Sequence, residues 1–156
     1  MGLSLNEISG GGKSWSPQNI GDMITGTIVG VERKQQTSMD DGSLLTWDDG
    51  SPRMMTVVTL QTELRDDDDD DGVRALWLKG GKNFEAAEGK GHSGEVALAE
   101  AAKKAGANSI DEGAKLTFAH TGVAKAKTRG YQGAKLYTAK YEPPRQTVAT
   151  DELFDD

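Results

Sequence analysis

Five segments of the chain alternate apolar and polar residues with the period of two that is typical of β-strands. They are residues 22–34, 53–63, 73–79, 116–121 and 134–141. Their content of Thr, Val, Phe and Tyr favours the same assignment. The pattern therefore predicts five strands joined by polar connections.

One further segment, residues 94–105, has the boundary signals of a helix. Ser93 stands at the N-cap position, Glu95 lies in the first turn, two lysines lie in the last turn, and Gly106 follows directly. Its small apolar residues form a narrow face that suits close packing against a sheet. The sequence thus predicts a single helix between the third and fourth strands.

This order of elements predicts the fold class. Three strands, one helix and two strands, with Gly26 and Gly30 inside the first strand to let it curl, are the order of the OB-fold. We therefore expect a mainly β protein built as a five-stranded OB-fold barrel. The alternative, an incomplete β-sandwich, does not account for a single capped helix at this place.

The length of 156 residues allows one domain with tails. We predict a flexible N-terminal segment over residues 1–20, the OB-fold domain over residues 21–144, and a disordered acidic tail over residues 145–156. Trp15 is expected to anchor the N-terminal segment on the domain. No apolar run reaches the roughly 18 residues needed to span a membrane, and no signal-peptide pattern is present, so a cytoplasmic protein is expected.

The net charge of −7 conceals a mildly basic body. Ten of the 25 acidic residues lie in two blocks, 66–71 and 151–156, and the other 15 are outnumbered by 18 lysines and arginines. A basic body with a separate acidic tail suits a nucleic-acid-binding protein. The aspartates at 66–71 lack the ligand spacing and the internal glycine of a Ca²⁺ loop, so we expect a solvated, self-repelling loop.

The chain has no Cys and only two His, which excludes a disulfide scaffold and a thiolate zinc site. No nucleophile–base pair or metal-ligand spacing is present either. We therefore expect no enzymatic activity, no metal and no cofactor.

The connection between the last two predicted strands is basic and contains no acid. Single-stranded nucleic acids are held by cationic grooves that follow the phosphates and by aromatic faces that stack on bases. The candidate stacking residues are Trp77, Tyr131 and Trp47. The candidate phosphate-binding residues are Lys79, Lys125, Lys127, Arg129 and Lys135, followed by Arg33, Lys34, Arg53 and Lys82.

The orientation of several aromatic residues stays open at this stage. Strand parity places Trp77 opposite the buried leucines, but a core position is the alternative. Trp47 is either a stacking residue or a structural anchor within its loop. Tyr137 and Tyr141 share a face that lies either in the barrel or along the groove, and His120 is expected to be structural.

Four segments resemble the single-stranded DNA-binding proteins of actinobacterial phages and, more distantly, those of bacteria. These are GDMITGTIVGVE, VRALWLKG, the alanine-rich helix that leads into AGA, and GAKLYTAKYEPP, which together span roughly residues 20–144. The resemblance implies a non-catalytic protein that coats single-stranded DNA in replication, recombination and repair. For a phage protein the compartment would be the host cytoplasm.

The C-terminal segment is similar in type to the acidic tail through which bacterial single-stranded DNA-binding proteins recruit replication and recombination proteins. It consists of Asp151, Glu152, Leu153, Phe154, Asp155 and Asp156. Its apolar pair is internal rather than terminal, and no proline precedes Phe154, which departs from the bacterial pattern. Bacterial relatives often form tetramers, whereas no feature of this sequence fixes a homo-oligomer interface.

A second interpretation stays open beside DNA binding. The same barrel could be a non-catalytic protein-interaction adaptor in a replication or virion complex. That interpretation gains if the aspartate run lies against the basic loop and Trp77. The preference between DNA and RNA is also open, because stacking and phosphate contacts do not sense the 2′-hydroxyl.

Overall fold

The alternating segments form a curled, open sheet in the computed structural model, which describes residues 13–38, 40–80, 85–126 and 133–144. The described part is mainly β and contains one helix, α1 (Gly94–Lys104). The strands are β1 (Lys13–Ser14), β2 (Met23–Gln35), β3 (Met54–Gln61), β4 (Val73–Lys79), β5 (Ala86–Gly89), β6 (Lys115–Ala124) and β7 (Lys135–Glu142). They lie in the order β1-β4-β3-β2-β6-β5, and β7 pairs with the other edge of β6.

The five predicted strands and the helix all form, but the predicted number of strands is wrong because two short strands were missed. β1 has only two residues, both polar and exposed, and all four residues of β5 are exposed. Neither segment can show the alternation that comes from one buried face. A closed five-stranded barrel is also wrong for the described residues, since no strand pairing joins β4 to β7.

The curl of the sheet originates in β2, which changes partner along its length. Its first half pairs with β6 and its second half with β3, and a bulge interrupts the register between Ile28 and Gly30. Gly26 lies near the change of partner, where an added Cβ would stand 2.6 Å from the carbonyl oxygen of Gln61. Only glycine permits this close approach of two backbones, so the sheet bends here.

The core lies between the concave face of the sheet and α1. Its largest fully buried side chains are Phe118, Ile28, Leu60, Leu76, Leu116, Leu136 and Val58. The small face of α1 packs on it through buried Ala97, Leu98, Ala101 and Ala102. At Gly94 an added Cβ would lie 3.0 Å from Leu78, so the start of α1 sits directly on β4.

The N-terminal segment from Lys13 to Pro17 lies in the gap between β4 and β7, which we call the seam. β1 runs parallel to β4, and the Trp15 N–H donates to the carbonyl of Ala75 at 2.9 Å. The Trp15 ring meets Phe118 edge-on, with 6.3 Å between ring centroids. From the other side, Lys135 Nζ donates to the carbonyl of Pro17. Trp15 therefore anchors the segment on β4 and on the core, and Pro17 connects it to β7.

The aspartate run is folded around one buried carboxylate, so the prediction of a wholly solvated loop is wrong for Asp70. The Arg74 guanidinium donates to both oxygens of Asp70, at 2.9 and 2.7 Å, and both side chains are almost completely buried. The N–H groups of Asp66 and Gly72 donate to the same carboxylate at 2.7 and 2.8 Å. The Arg74 guanidinium, followed by these backbone donors, holds the pKa of Asp70 far below its usual range.

We predict that Asp70→Asn lowers the unfolding midpoint at pH 7 and that this deficit shrinks as the pH is lowered to 3. Because the folded-state pKa of Asp70 is depressed, its contribution is complete above the unfolded-state value of about 4 and is lost as the pH falls below it. Urea unfolding followed by circular dichroism at both pH values measures the deficit. Asp69→Asn, in the exposed part of the same loop, is the matched control, and a deficit independent of pH would contradict the assignment.

We predict that Trp15→Ala lowers the free energy of unfolding by about 2 kcal/mol, because the half-buried ring loses its contact with Phe118. Trp47→Ala is the matched control. Its ring is 50 % exposed and mainly loses a contact with Arg53, so the change is expected to stay below about 1 kcal/mol. Urea unfolding of both variants checks the difference, and equal losses would show that Trp15 does not anchor the seam.

Candidate nucleic-acid interface

The side chain of Trp77 lies on the convex face of β4. Leu76 and Leu78 on either side of it are buried in the core, whereas Trp77 is 47 % exposed and Lys79 is also exposed. Strand parity alone sets this arrangement, because successive side chains point to opposite faces. The core alternative for Trp77 is therefore wrong.

Two polar neighbours fix the position of the Trp77 ring. Its indole N–H donates to the hydroxyl of Ser14 on β1 at 3.0 Å. The ammonium of Lys34 on β2 lies 5.2 Å from the ring centroid, within the range of a cation–π contact. An exposed tryptophan is thus held by its edge and carries a cation over its ring.

The residues around Trp77 form a cationic surface with an apolar floor, which we call the outer surface. In the strand register Lys34, Met55 and Lys79 stand opposite one another across β2, β3 and β4, and Val57 stands opposite Trp77. Met55 and Val57 are buried but do not belong to the core cluster, so they form the floor on the convex side. The outer surface consists of these five residues.

A groove of about 360 Å³ opens where the seam is not filled by the N-terminal segment. Its wall on the β4 side includes Trp77 and Lys79, its wall on the β7 side includes Lys135 and Tyr137, and its floor includes Gly94. We call this space the seam groove. It brings together three of the predicted residues, Trp77, Lys79 and Lys135.

The two tyrosines whose orientation the sequence left open have different positions. Tyr137 is half-buried, lines the seam groove and packs against Phe118 with 4.9 Å between ring centroids. Burial raises the pKa of its phenol. Tyr141 is 4 % exposed, belongs to the core, and accepts a hydrogen bond from the Asp111 N–H at 3.0 Å.

The connection between β2 and β3 presents a second aromatic–cationic pair. The guanidinium of Arg53 lies 4.5 Å from the centroid of the Trp47 ring, which is half exposed. Two isolated bridges, Thr37 to Leu44 and Thr46 to Pro52, hold the connection in an extended hairpin. Trp47 therefore makes a local contact in its loop and still presents an aromatic surface to solvent.

Several predicted cations have acidic partners that reduce their local field. Lys34 is one of them, since its Nζ lies 3.9 Å from a carboxylate oxygen of Glu32, which stands opposite Val57. Lys125 Nζ lies 2.9 Å from a carboxylate oxygen of Glu85. Arg33 lies 3.5 Å from Glu95 on α1, and this carboxylate also accepts from the Thr56 hydroxyl at 2.7 Å. Exposed pairs of this kind are weak and do not prevent phosphate binding. The pairs of Lys125 and Arg33 are shorter than that of Lys34, so these two residues are secondary candidates.

The remaining predictions fall on other parts of the chain. Lys82, Lys127, Arg129 and Tyr131 lie outside the described residues, as does the tail from Asp151 to Asp156. His120 is 3 % exposed, and its Nδ1 lies 3.1 Å from the Leu136 carbonyl, which makes it a structural histidine as expected.

Sequence reasoning missed Ser14, Met55 and Val57 as parts of the site. Nothing in the sequence around Ser14 indicates that it pairs with β4, because β1 is too short to have a pattern. Met55 and Val57 carried a usable signal, since β3 is apolar on both faces and so has a buried convex side. Tyr137 could have been placed with Lys135, two positions earlier on the same face of its strand.

Comparison of the chain with family models, curated proteins and solved structures finds no match. The resemblance to phage single-stranded DNA-binding proteins therefore stays a prediction from the sequence. Among the described residues, no helix is long and apolar enough to cross a membrane. The same residues contain no group of three or more His, Cys, Asp and Glu that could hold a metal ion.

Proposed function

We propose that this protein is a non-catalytic, cytoplasmic single-stranded DNA-binding protein and that its curled sheet is an open variant of the OB-fold. The observation that carries this function is the outer surface, where an exposed tryptophan lies next to Lys34, shares a strand face with Lys79 and stands above an apolar floor. Aromatic faces and cations together are the chemistry that holds single strands with little sequence preference.

The pairing of the five long strands supports the OB-fold part of the proposal. β2 pairs with both β3 and β6, β3 pairs with β4, and β6 pairs with β7. An OB barrel places its oligonucleotide site on its second and third strands and on the loops after its first and fourth. The corresponding elements here are β3 and β4, the connection that carries Trp47, and the connection from β6 to β7.

In this arrangement a base stacks on Trp77, and the neighbouring phosphates bind Lys34 and Lys79. The Lys34 ammonium already lies over the indole, so a cation is in place near the stacking position before DNA binds. The Ser14 hydroxyl keeps the indole from rotating away, so less side-chain entropy is lost on binding. Trp47 with Arg53 offers a second stacking position.

The acidic C-terminal tail is proposed as the hook for replication and recombination proteins. In that role the body of the protein coats DNA and the tail brings partner proteins to it. The residues of this tail lie outside the described ranges, so the role depends on the sequence alone.

The position of the aspartate run favours DNA binding over the adaptor alternative. Asp70 is fixed at the start of β4 by Arg74, and Asp66 pairs with Lys13 at 3.0 Å. Lys79 stands at the opposite end of the strand, six steps or about 20 Å from Val73. The carboxylates therefore do not cover the end of the outer surface where Lys34 and Lys79 lie.

Tryptophan fluorescence titration with a dT oligonucleotide and with matched duplex, at low and moderate salt, tests the function. We expect quenching by the single strand alone and weaker binding as the salt concentration rises. Trp77→Ala is expected to weaken binding about 5- to 160-fold, which corresponds to about 1–3 kcal/mol for the loss of one stacked base. If neither ligand changes the fluorescence or the electrophoretic mobility, the protein does not bind DNA and the adaptor alternative is favoured.

The salt dependence separates phosphate contacts from general charge. Lys79→Gln is expected to reduce the slope of log K against log salt by about 0.7, the value for one phosphate contact of a single strand. Lys103→Gln, which removes an exposed lysine at the far end of α1, is the matched control and should leave the slope unchanged. Equal effects of the two changes would show that Lys79 makes no phosphate contact and contributes only to the general electrostatic attraction of DNA.

A further inference from the structure

The seam groove has features that stacking on the outer surface does not use. Lys135 and Tyr137 enter it from β7, on the side opposite to Trp77 and Lys79. A volume of about 360 Å³ lies near the lower end of the roughly 300–1,000 Å³ typical of small-ligand sites. This space suits a single nucleotide and is too small for a helix of a partner protein.

We infer that the seam groove binds one nucleotide of the single strand, with its base against Tyr137 and its phosphate between Lys79 and Lys135. The inference rests on the proposed function and extends the path of the bound DNA. From Trp77 the single-stranded DNA crosses the edge of β4 and enters the seam. Lys79 and Trp77 belong to both the outer surface and the groove, so the path is continuous.

The charges around the groove favour a phosphate. None of the described residues that line it is acidic, and two of them are lysines. The carboxylate of Glu95 lies beside Gly80, and its other oxygen accepts from Thr56 and lies near Arg33, which offsets part of its charge. The floor is the beginning of α1, where the helix dipole adds positive potential.

The walls of the groove are held in place before a nucleotide arrives. Lys135 donates one proton to the Pro17 carbonyl, which fixes its ammonium at the wall and leaves two donors for a phosphate. The Tyr137 ring is supported by Phe118 on the core side and lies 5.8 Å from the His120 ring. A rigid aromatic wall loses little entropy when a base packs on it.

Photocrosslinking with an oligo-dT that carries 5-iodouracil tests the position of the base directly. After irradiation of the complex with the full chain, mass spectrometry of the crosslinked peptides should identify Tyr137 in addition to Trp77. Crosslinks to Trp77 without any to Tyr137 would overturn the inference and leave the proposed function standing. If the wild-type chain does not bind the oligonucleotide at all, the proposed function itself fails, and the inference fails with it.

Binding measurements with lysine variants provide the second test. Lys135→Gln is expected to weaken dT binding several-fold and to reduce the salt slope by about 0.7, as for one lost phosphate contact. Lys140→Gln is the matched control, since it removes an exposed lysine of the same strand that points to the other face. If the two variants behave alike, Lys135 does not contact a phosphate and the groove does not hold a nucleotide.

Discussion

The edges of β4 and β7 that face each other without pairing are the constraint on which the rest of this structure depends. Buried backbone N–H and C=O groups need partners, so a sheet that curls without closing must cover its open edges. Here the N-terminal segment covers part of the seam through the Ala75 carbonyl and the Pro17 carbonyl. The part left uncovered is the seam groove, so an incomplete closure creates a candidate binding site.

The same segment connects the stability of the fold to the geometry of the outer surface. Trp15 packs into the core beside Phe118, and its neighbour Ser14 holds the indole of Trp77. One short stretch therefore anchors the seam and positions the proposed stacking residue. A structural protein would need only the first contact, whereas a base-stacking site benefits from the second.

Strand parity allowed the sequence to indicate much of this arrangement. The positions of Trp77 and Lys79 opposite the buried leucines follow from the alternation in β4. The helix bounds are indicated by Ser93 before the helix and Gly106 after it, although the Ser93 side chain makes no capping hydrogen bond. Other features depend on contacts between residues that are distant in the chain. The pairing of β1 with β4 and the burial of Asp70 by Arg74 come from tertiary packing, which local patterns do not encode. The seam groove joins residues some sixty positions apart, and no local pattern could predict it.

The buried pair of Arg74 and Asp70 affects the distribution of charge along β4. It holds the aspartate loop at the beginning of β4. Lys79 lies at the other end of this strand, level with Lys34 on β2. The strand therefore has a fixed polarity, negative at its beginning and positive at its end. A polyanion that approaches within the Debye length of about 10 Å at moderate salt is repelled from one end and drawn to the other. In the proposed function, the first encounter with DNA is thereby directed to the end of β4 where the outer surface and the seam groove meet.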